Sequence, residues 1–436
     1  MGMKARREII GDTGPSLYHH WDPVWNNKDD DKQHVHIIVT IDGKEEQDLD
    51  SRYEEIQRIL AGNPGVNQLA GHRGTAGDNL PYQSAAALPP SKENLGYPGG
   101  KEHFGYSDGI STVFFEGCCE NPNLVIGGGK PTGQDSRTPA GWAPLASGEF
   151  ILGHPDEAFE YPEAPGPPLF SRNGTFMAYR KLHQNVGSFY SYLDAEGAKF
   201  PEGKEALAAK FAGRWRNGAP LVSFPTEESA NQFIKALTDA RAKARSQGAS
   251  QQDKDRYAEL QLQLVAFDYT GDPQGAKCPF GAHTRRTNPR SALEFGNTSA
   301  FDTPGALSNR RRMLRRGLPY GRVEEPTRDD GDHGVIILLM NADLSRQFEF
   351  VQQQWINYGN DFRLANDQDP LLGNHGANKN CRGQGRMLIE GDAATAKPPY
   401  FCNRMPTLVE TRGGDYFFVP SMTCLRMIGL GIIDPT

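Results

Sequence analysis

The sequence has no apolar run long enough to cross a bilayer. Its longest, near Val335–Met340, falls far short of the roughly 20 residues a spanning helix needs. Cysteine is sparse, six in 436 residues, and no CxxC pair occurs, so neither a disulfide framework nor a structural zinc site is expected. Cys118 and Cys119 are adjacent, and Cys278, Cys381, Cys402 and Cys424 are scattered. A basic excess is missing as well. The net charge is −7 and the isoelectric point about 5.9, which argues against a general nucleic-acid or anionic-membrane binder. The GxxxxGK[ST] and HExxH signatures are absent, which removes the common phosphate-loop and zinc-hydrolase readings. Basic residues in Met1–Gly14 are not followed by an apolar stretch, so no secretory signal is expected, and the expectation is a cytoplasmic protein with reduced thiols. A leader removed before residue 1 would overturn that expectation.

What remains is the composition of a folded enzyme-sized chain. Aromatics make up 10% and charged residues 23%, so the chain as a whole is not disordered. Its length suggests two or three domains, and 49 glycines and 31 prolines imply many loops. His34–Ile41 alternates β-branched residues and predicts a strand, followed by a helix over Leu49–Leu60 capped by Asp50 or Ser51. Residues 62–148 lack periodicity, apart from a short strand signal at Ser111–Phe115, and so long a stretch without it is usually functional. Strands are expected at Glu149–Leu152, Gly174–Tyr179, Gly334–Met340 and Asp415–Val419. Helices are expected at His183–Leu193, Lys204–Arg216, Leu344–Trp355 and Met422–Leu430. The order strand, turn, helix recurs in both halves. This favours an α+β fold with a first half at 1–216 and a second at 217–436.

Three segments carry chemistry. Gly105-Tyr-Ser-Asp108-Gly109 presents a carboxylate from a loop between glycines. Cys278-Pro-Phe-Gly-Ala-His283-Thr-Arg285-Arg286-Thr-Asn288-Pro-Arg290 sets one histidine among small residues and follows it with arginines. Small neighbours admit a bulky planar ligand beside an imidazole, and arginines suit carboxylates on that ligand. Arg310-Arg-Arg-Met-Leu-Arg315-Arg316-Gly317 reads as a basic helix ending at the glycine. Each has an ordinary structural explanation in isolation: a turn, a satisfied core histidine, cations at a helix end. The arginines would equally suit a phosphate.

Taken in order along the chain, these segments resemble the dye-decolorising peroxidase family of haem proteins. HFGYSDGIS is similar to the family's GxxDG segment, DPQGAKCPFGAHTRRTNPR to its proximal-histidine segment, and RRGLPYG to its distal-arginine segment. GEFILGHPDE, RNGTFMAYRKL and RGGDYFFVPS resemble its strands. The resemblance implies two ferredoxin-like domains of the dimeric α+β barrel type, with haem b (iron protoporphyrin IX) between them. It implies His283 as the iron ligand, Asp108 as the acid–base residue, and Arg315 as the distal arginine. Arg315 fits better than Arg316 because the family's arginine is followed by one residue and then Gly. Arg286 and Asn288 are weaker matches for propionate contacts, and Asp343 and Glu349 are candidates to hold the second nitrogen of His283. The implied activity is reduction of hydrogen peroxide with oxidation of dyes, phenols and other bulky aromatic donors. A haem-handling role on the same fold, in transport, storage or iron release, is the alternative. Neither the physiological donor nor the oligomeric state is readable from the sequence.

Overall fold

Four antiparallel strands form the central sheet of the computed structural model, which describes residues 2–26, 33–74, 77, 79–89, 100–119, 121–294, 304–376 and 385–432. They are β1 (Thr175–Gln184), β2 (Leu314–Tyr320), β3 (Gly334–Asn341) and β4 (Val409–Val419), in the spatial order β4-β1-β3-β2. β1 is covered on both faces, and Met177 through Gln184 are all buried. Its charged side chains are therefore paired. Arg180 meets Asp12 at 2.7 Å, and Lys181 sits between Asp22 at 2.8 Å and Asp332 at 2.9 Å. The aspartates at 12 and 22 bring the N-terminal segment across the sheet, where Asp22 N–H also donates to Arg412 O at 2.7 Å.

Helices cluster beside the sheet. α2 (Val186–Gly197) follows β1 directly, then α3 (Gly203–Ala212), α4 (Glu227–Arg245) and α5 (Gln251–Gln263). Phe189, Leu207, Phe211, Leu237 and Leu260 from these four helices share one apolar core. Reciprocal capping boxes, Thr226 with Ser229 and Ser250 with Asp253, start α4 and α5 on either side of an exposed polar turn. The histidine segment forms a short helix, α6 (His283–Thr287), packed on the end of α3. Thr284 Oγ1 donates to Ala212 O at 2.8 Å. A Cβ on Gly213, whose φ is +82°, would lie 2.2 Å from that same oxygen, so only glycine permits the contact.

Several elements differ from the sequence reading. His34–Ile41 pairs with no strand and leaves Ile37 and Val39 exposed; β-propensity without a neighbour to pair with does not make a strand. The helix after it, α1 (Glu46–Ala61), begins earlier than expected, so Asp50 and Ser51 lie inside it rather than capping it. Ser111–Phe115 and Glu149–Leu152 make isolated contacts and turns instead of strands. Arg310–Gly317 is not a helix: from Leu314 onward it is the sheet-edge strand β2, which tolerates Pro319 because an edge has ladder positions to spare. Leu344–Trp355 winds as two wide helical turns, Ser345–Glu349 and Val351–Ile356. The expected strands at Gly334–Met340 and Asp415–Val419 form, the latter as the end of a longer one. Among the described residues, no helix is long and apolar enough to cross a membrane.

Candidate active site

Asp108 is presented by a loop pinned on every side. Glu102 accepts the backbone N–H groups of Phe104 at 2.9 Å and Tyr106 at 2.7 Å. His103 Nε2 lies 3.0 Å from Tyr320 O at the end of β2, and the Tyr106 hydroxyl donates to Ala208 O at 2.7 Å. Ser107 N–H donates to Arg216 O at 3.1 Å and Asp108 N–H to Gly100 O at 3.0 Å. Gly105 and Gly109, at φ +87° and +71°, make the left-handed turns on either side of the carboxylate. The loop therefore spends its backbone on anchoring and leaves the Asp108 side chain about a third exposed.

Arg315, on β2, meets that carboxylate with both ends of its guanidinium, Nη1 to Oδ1 at 2.8 Å and Nη2 to Oδ2 at 2.7 Å. Burial pushes the Asp108 carboxyl up. The Arg315 charge and hydrogen bonds, with the Gly109 N–H, outweigh it and hold the group below the usual carboxylate range. Arg316 turns elsewhere, to Thr112 Oγ1 at 3.2 Å.

His283 opens α6, and its Nδ1 lies 2.9 Å from Asp369 Oδ2. Asp369 is fully buried, and its other oxygen accepts Leu371 N–H at 2.9 Å and Leu372 N–H at 2.8 Å. Burial opposes charge on Asp369, but His283, Arg286 and the Leu372 N–H together lower its pKa. An ionised carboxylate fixes the proton on Nδ1, which leaves Nε2 as the ring nitrogen with a free lone pair. The His283 side chain keeps 26% of its surface, and the ring acts electrostatically on Asp108. The structure thus brings together the three residues singled out by the motifs, Asp108 from the first half and Arg315 and His283 from the second.

It redirects others. Asp343 and Glu349 do not touch His283. Asp343 pairs with Arg346 at 3.4 Å, and Glu349 with Arg6 and, at 2.9 Å, the Tyr416 hydroxyl. Asp369 has their expected role, and no sequence signal marks it, since it lies 86 positions from the histidine. Arg286 is no ligand contact: it is wholly buried, and its guanidinium donates to the carbonyls of Gly281, Trp355, Tyr358 and Asp367 at 2.8–3.2 Å. Arg285 and Arg290 are buried pegs too, Arg285 on Asp272 and Cys278 O and Arg290 on the carbonyls of Val265, Phe267 and Gly127. Asn288 is partly buried, and its Oδ1 is enclosed without a hydrogen-bond partner.

The donor set suits haem iron on one side. An imidazole oriented by a buried carboxylate, with a carboxylate–guanidinium pair in electrostatic reach, fits the chemistry of a histidine-ligated haem. The propionate contacts are not met by Arg286, whose donors are spent on carbonyls.

No family model matches the chain. Peroxidase 2 of Mycetinis scorodonius is 25% identical over 340 residues, 75% of this chain and 56% of that protein. The multifunctional dye peroxidase DyP2 of an Amycolatopsis species is 29% identical over 350 residues, 76% of this chain and 61% of that protein. The chain thus spans little more than half the length of these curated relatives. Among solved structures, an ancestral D-type dye-decolorising peroxidase superposes with a TM-score of 0.65 at 23% identity, covering 98% of this chain and 79% of the other. A dye-decolorising peroxidase in complex with 2,6-dimethoxyphenol gives 0.64 at 22% identity, covering 97% and 78%. The chain thus shares an α+β fold with dye-decolorising peroxidases and is similar in sequence to a run of curated relatives of that one kind.

Proposed function

We propose that the protein is a haem-dependent peroxidase that reduces hydrogen peroxide and oxidises aromatic donors one electron at a time. The observation that carries this reading is the bidentate Asp108–Arg315 pair within electrostatic reach of His283, itself held by Asp369. In the proposed arrangement haem b lies between two ferredoxin-like halves, 1–216 and 217–436, with His283 Nε2 as its protein ligand. When bound, haem would supply the electron exchange with peroxide and donor.

The side chains have separate tasks. Asp369 keeps the His283 proton on Nδ1 and the ring in place, so that Nε2 stays available. Asp108, kept ionised by Arg315, accepts a proton from one oxygen of hydrogen peroxide and returns it to the other, which leaves as water. Arg315 stabilises negative charge on the departing oxygen with a guanidinium already in position. Aromatic donors are proposed from the family and from the phenol in the relative named above. The test is to load the protein with haem, mix it with peroxide, and follow turnover with a phenolic donor for wild type and Asp108→Asn. Rapid wild-type turnover, lost by 10²-fold or more in the variant, supports the reading. Stable haem binding with negligible wild-type turnover would point instead to a haem-handling protein.

A further inference from the structure

The adjacent thiols Cys118 and Cys119 take no part in the site just described. They lie in a turn that folds back on Phe115. Cys118 N–H donates to Phe115 O at 3.1 Å, and Phe115 N–H to Cys118 Sγ at 3.4 Å. The Cys118 S–H points at Cys119 Sγ, 3.9 Å away. Cys119 is exposed, whereas Cys118 is half-buried against Phe115, Leu145 and Phe150, in a small apolar cluster that also takes in Leu314. The other described cysteines are buried, and burial pushes the thiols of Cys278 and Cys402 up to about 12. Thiolate character and access decide which thiol reacts, so these two are inert at neutral pH. Burial also pushes Cys118 up, as does its hydrogen bond to Cys119, so Cys118 holds its proton while its neighbour meets solvent.

We propose that Cys118 and Cys119 form a peroxide-oxidisable dithiol that closes reversibly to a disulfide between neighbouring residues. The Cys119 thiolate attacks one oxygen of hydrogen peroxide, the O–O bond breaks, and hydroxide leaves, giving the sulfenic acid. Cys118 sulfur then attacks the Cys119 sulfur, the S–O bond breaks, and water leaves carrying the Cys118 proton. The two thiols lose two electrons in all, and peroxide becomes two molecules of water. An exposed thiol beside a resolving one is the arrangement that stops oxidation at this reversible stage. Adjacent Cα atoms are about 3.8 Å apart, closer than the roughly 4.4–6.8 Å a disulfide ordinarily spans. The closed ring is therefore strained as well as exposed, and common thiols reopen it. Its place gives the change a route to the site. Cys118 packs against the same apolar cluster as Leu314, which precedes Arg315, and the chain leading back from it to Asp108 holds Arg316 through Thr112.

The proposal concerns thiol chemistry and stands apart from the peroxidase reading. Trypsin releases Glu102–Arg137, which contains no other cysteine and no methionine. The full chain is reduced, freed of reductant, treated with a few equivalents of hydrogen peroxide, alkylated and digested. The expected result is a peptide lighter by two hydrogen atoms, with both thiols closed to alkylation and both restored by dithiothreitol. Cys118→Ser should stop at a sulfenic acid on Cys119, trapped by dimedone, and Cys119→Ser should leave Cys118 reduced. The proposal is overturned if both thiols still alkylate after peroxide, if Cys278 or Cys402 oxidises first, or if Cys119→Ser leaves the oxidation of Cys118 unchanged.

Discussion

At the scale of single residues, Asp108, His283 and Arg315 were legible because each sits in a short motif with a chemical reason. Their partners were not. A run such as His283-Thr-Arg285-Arg286-Thr-Asn288-Pro-Arg290 announces positive charge but says nothing of burial, and all three arginines turn inward to carbonyls or to Asp272. Asp369 could be found only by folding the chain. Its role predicts that Asp369→Asn weakens haem binding by about 10–100-fold, the usual cost of removing a carboxylate behind a metal-ligating histidine. Titration of haem-free protein with haem reads this directly. His283→Ala should abolish stable haem binding, and retention of full haem content with an unchanged spectrum would sink the ligand assignment. Substituting His34 or His36, in the unpaired segment near the N-terminus, should change neither.

At the scale of elements, the outcome turned on β2. Five arginines between Arg310 and Arg316, with only Met313 and Leu314 breaking the run, read as a solvated helix end; pairing with β3 makes the end of it a strand instead. That matters for the site, because successive side chains leave a strand on opposite faces. Arg315 and Arg316 therefore cannot substitute for one another, and the register with Leu339 and Leu338 selects which one reaches Asp108. Arg315→Leu should slow the peroxide reaction by at least about 10²-fold, the scale of one preorganised charge. Arg316→Leu should change it little, and stopped-flow traces in the reverse order would refute the assignment. Gly317 is on the face of Arg315, and a Cβ there would come within 2.9 Å of Ile336 O and 3.3 Å of the Arg315 guanidinium. Gly317→Ala should therefore disturb the Asp108–Arg315 pair without touching either charge. The expected reading is an acid limb of the peroxide rate moved toward that of Arg315→Leu.

At the scale of the whole molecule, the sheet joins strands from Thr175 to Val419, and a repeated strand–helix order does not say which strands are neighbours. The joining leaves three histidine rings in contact where the Asp108 loop, β1 and the start of β3 meet. His333 is 5.4 Å from His103 and 4.9 Å from His183, centroid to centroid. Burial pushes His103 and His333 down to about 4 and lowers His183 as well. His72 and His375 are likewise pushed down by burial to about 4.

These histidines, rather than Asp108, should set the acid limit of the protein. A histidine neutral in the fold but free to charge when unfolded binds more protons in the unfolded state. Its contribution to stability is therefore lost as pH falls from about 6.5, the unfolded value, toward 4. Each such group adds up to about 1.4 kcal/mol per pH unit to the slope. Glu294 and Glu390, raised by burial to about 7, act in the opposite sense, since the fold binds their protons first. They offset part of the loss. Asp108, in contrast, is held below the ordinary carboxylate range by Arg315 and stays ionised through the same window. Two acid limbs should thus separate. The peroxide rate of protein that is still folded should stay flat down to about pH 4, and Arg315→Leu should raise its limb, because burial then acts on Asp108 with its main opposing partner gone. The folded fraction should fall earlier. His333→Asn removes one titrating ring whose Nε2 has no partner to lose, so the unfolding free energy should flatten between pH 6.5 and 4 by up to about 1.4 kcal/mol per unit relative to wild type. Denaturant unfolding at a series of pH values measures that slope, and stopped flow on freshly acidified protein measures the rate. An unchanged slope in His333→Asn would remove the histidine cluster from the account. A rate that collapses near pH 6.5 while the protein is still folded would remove Asp108 as the operative base.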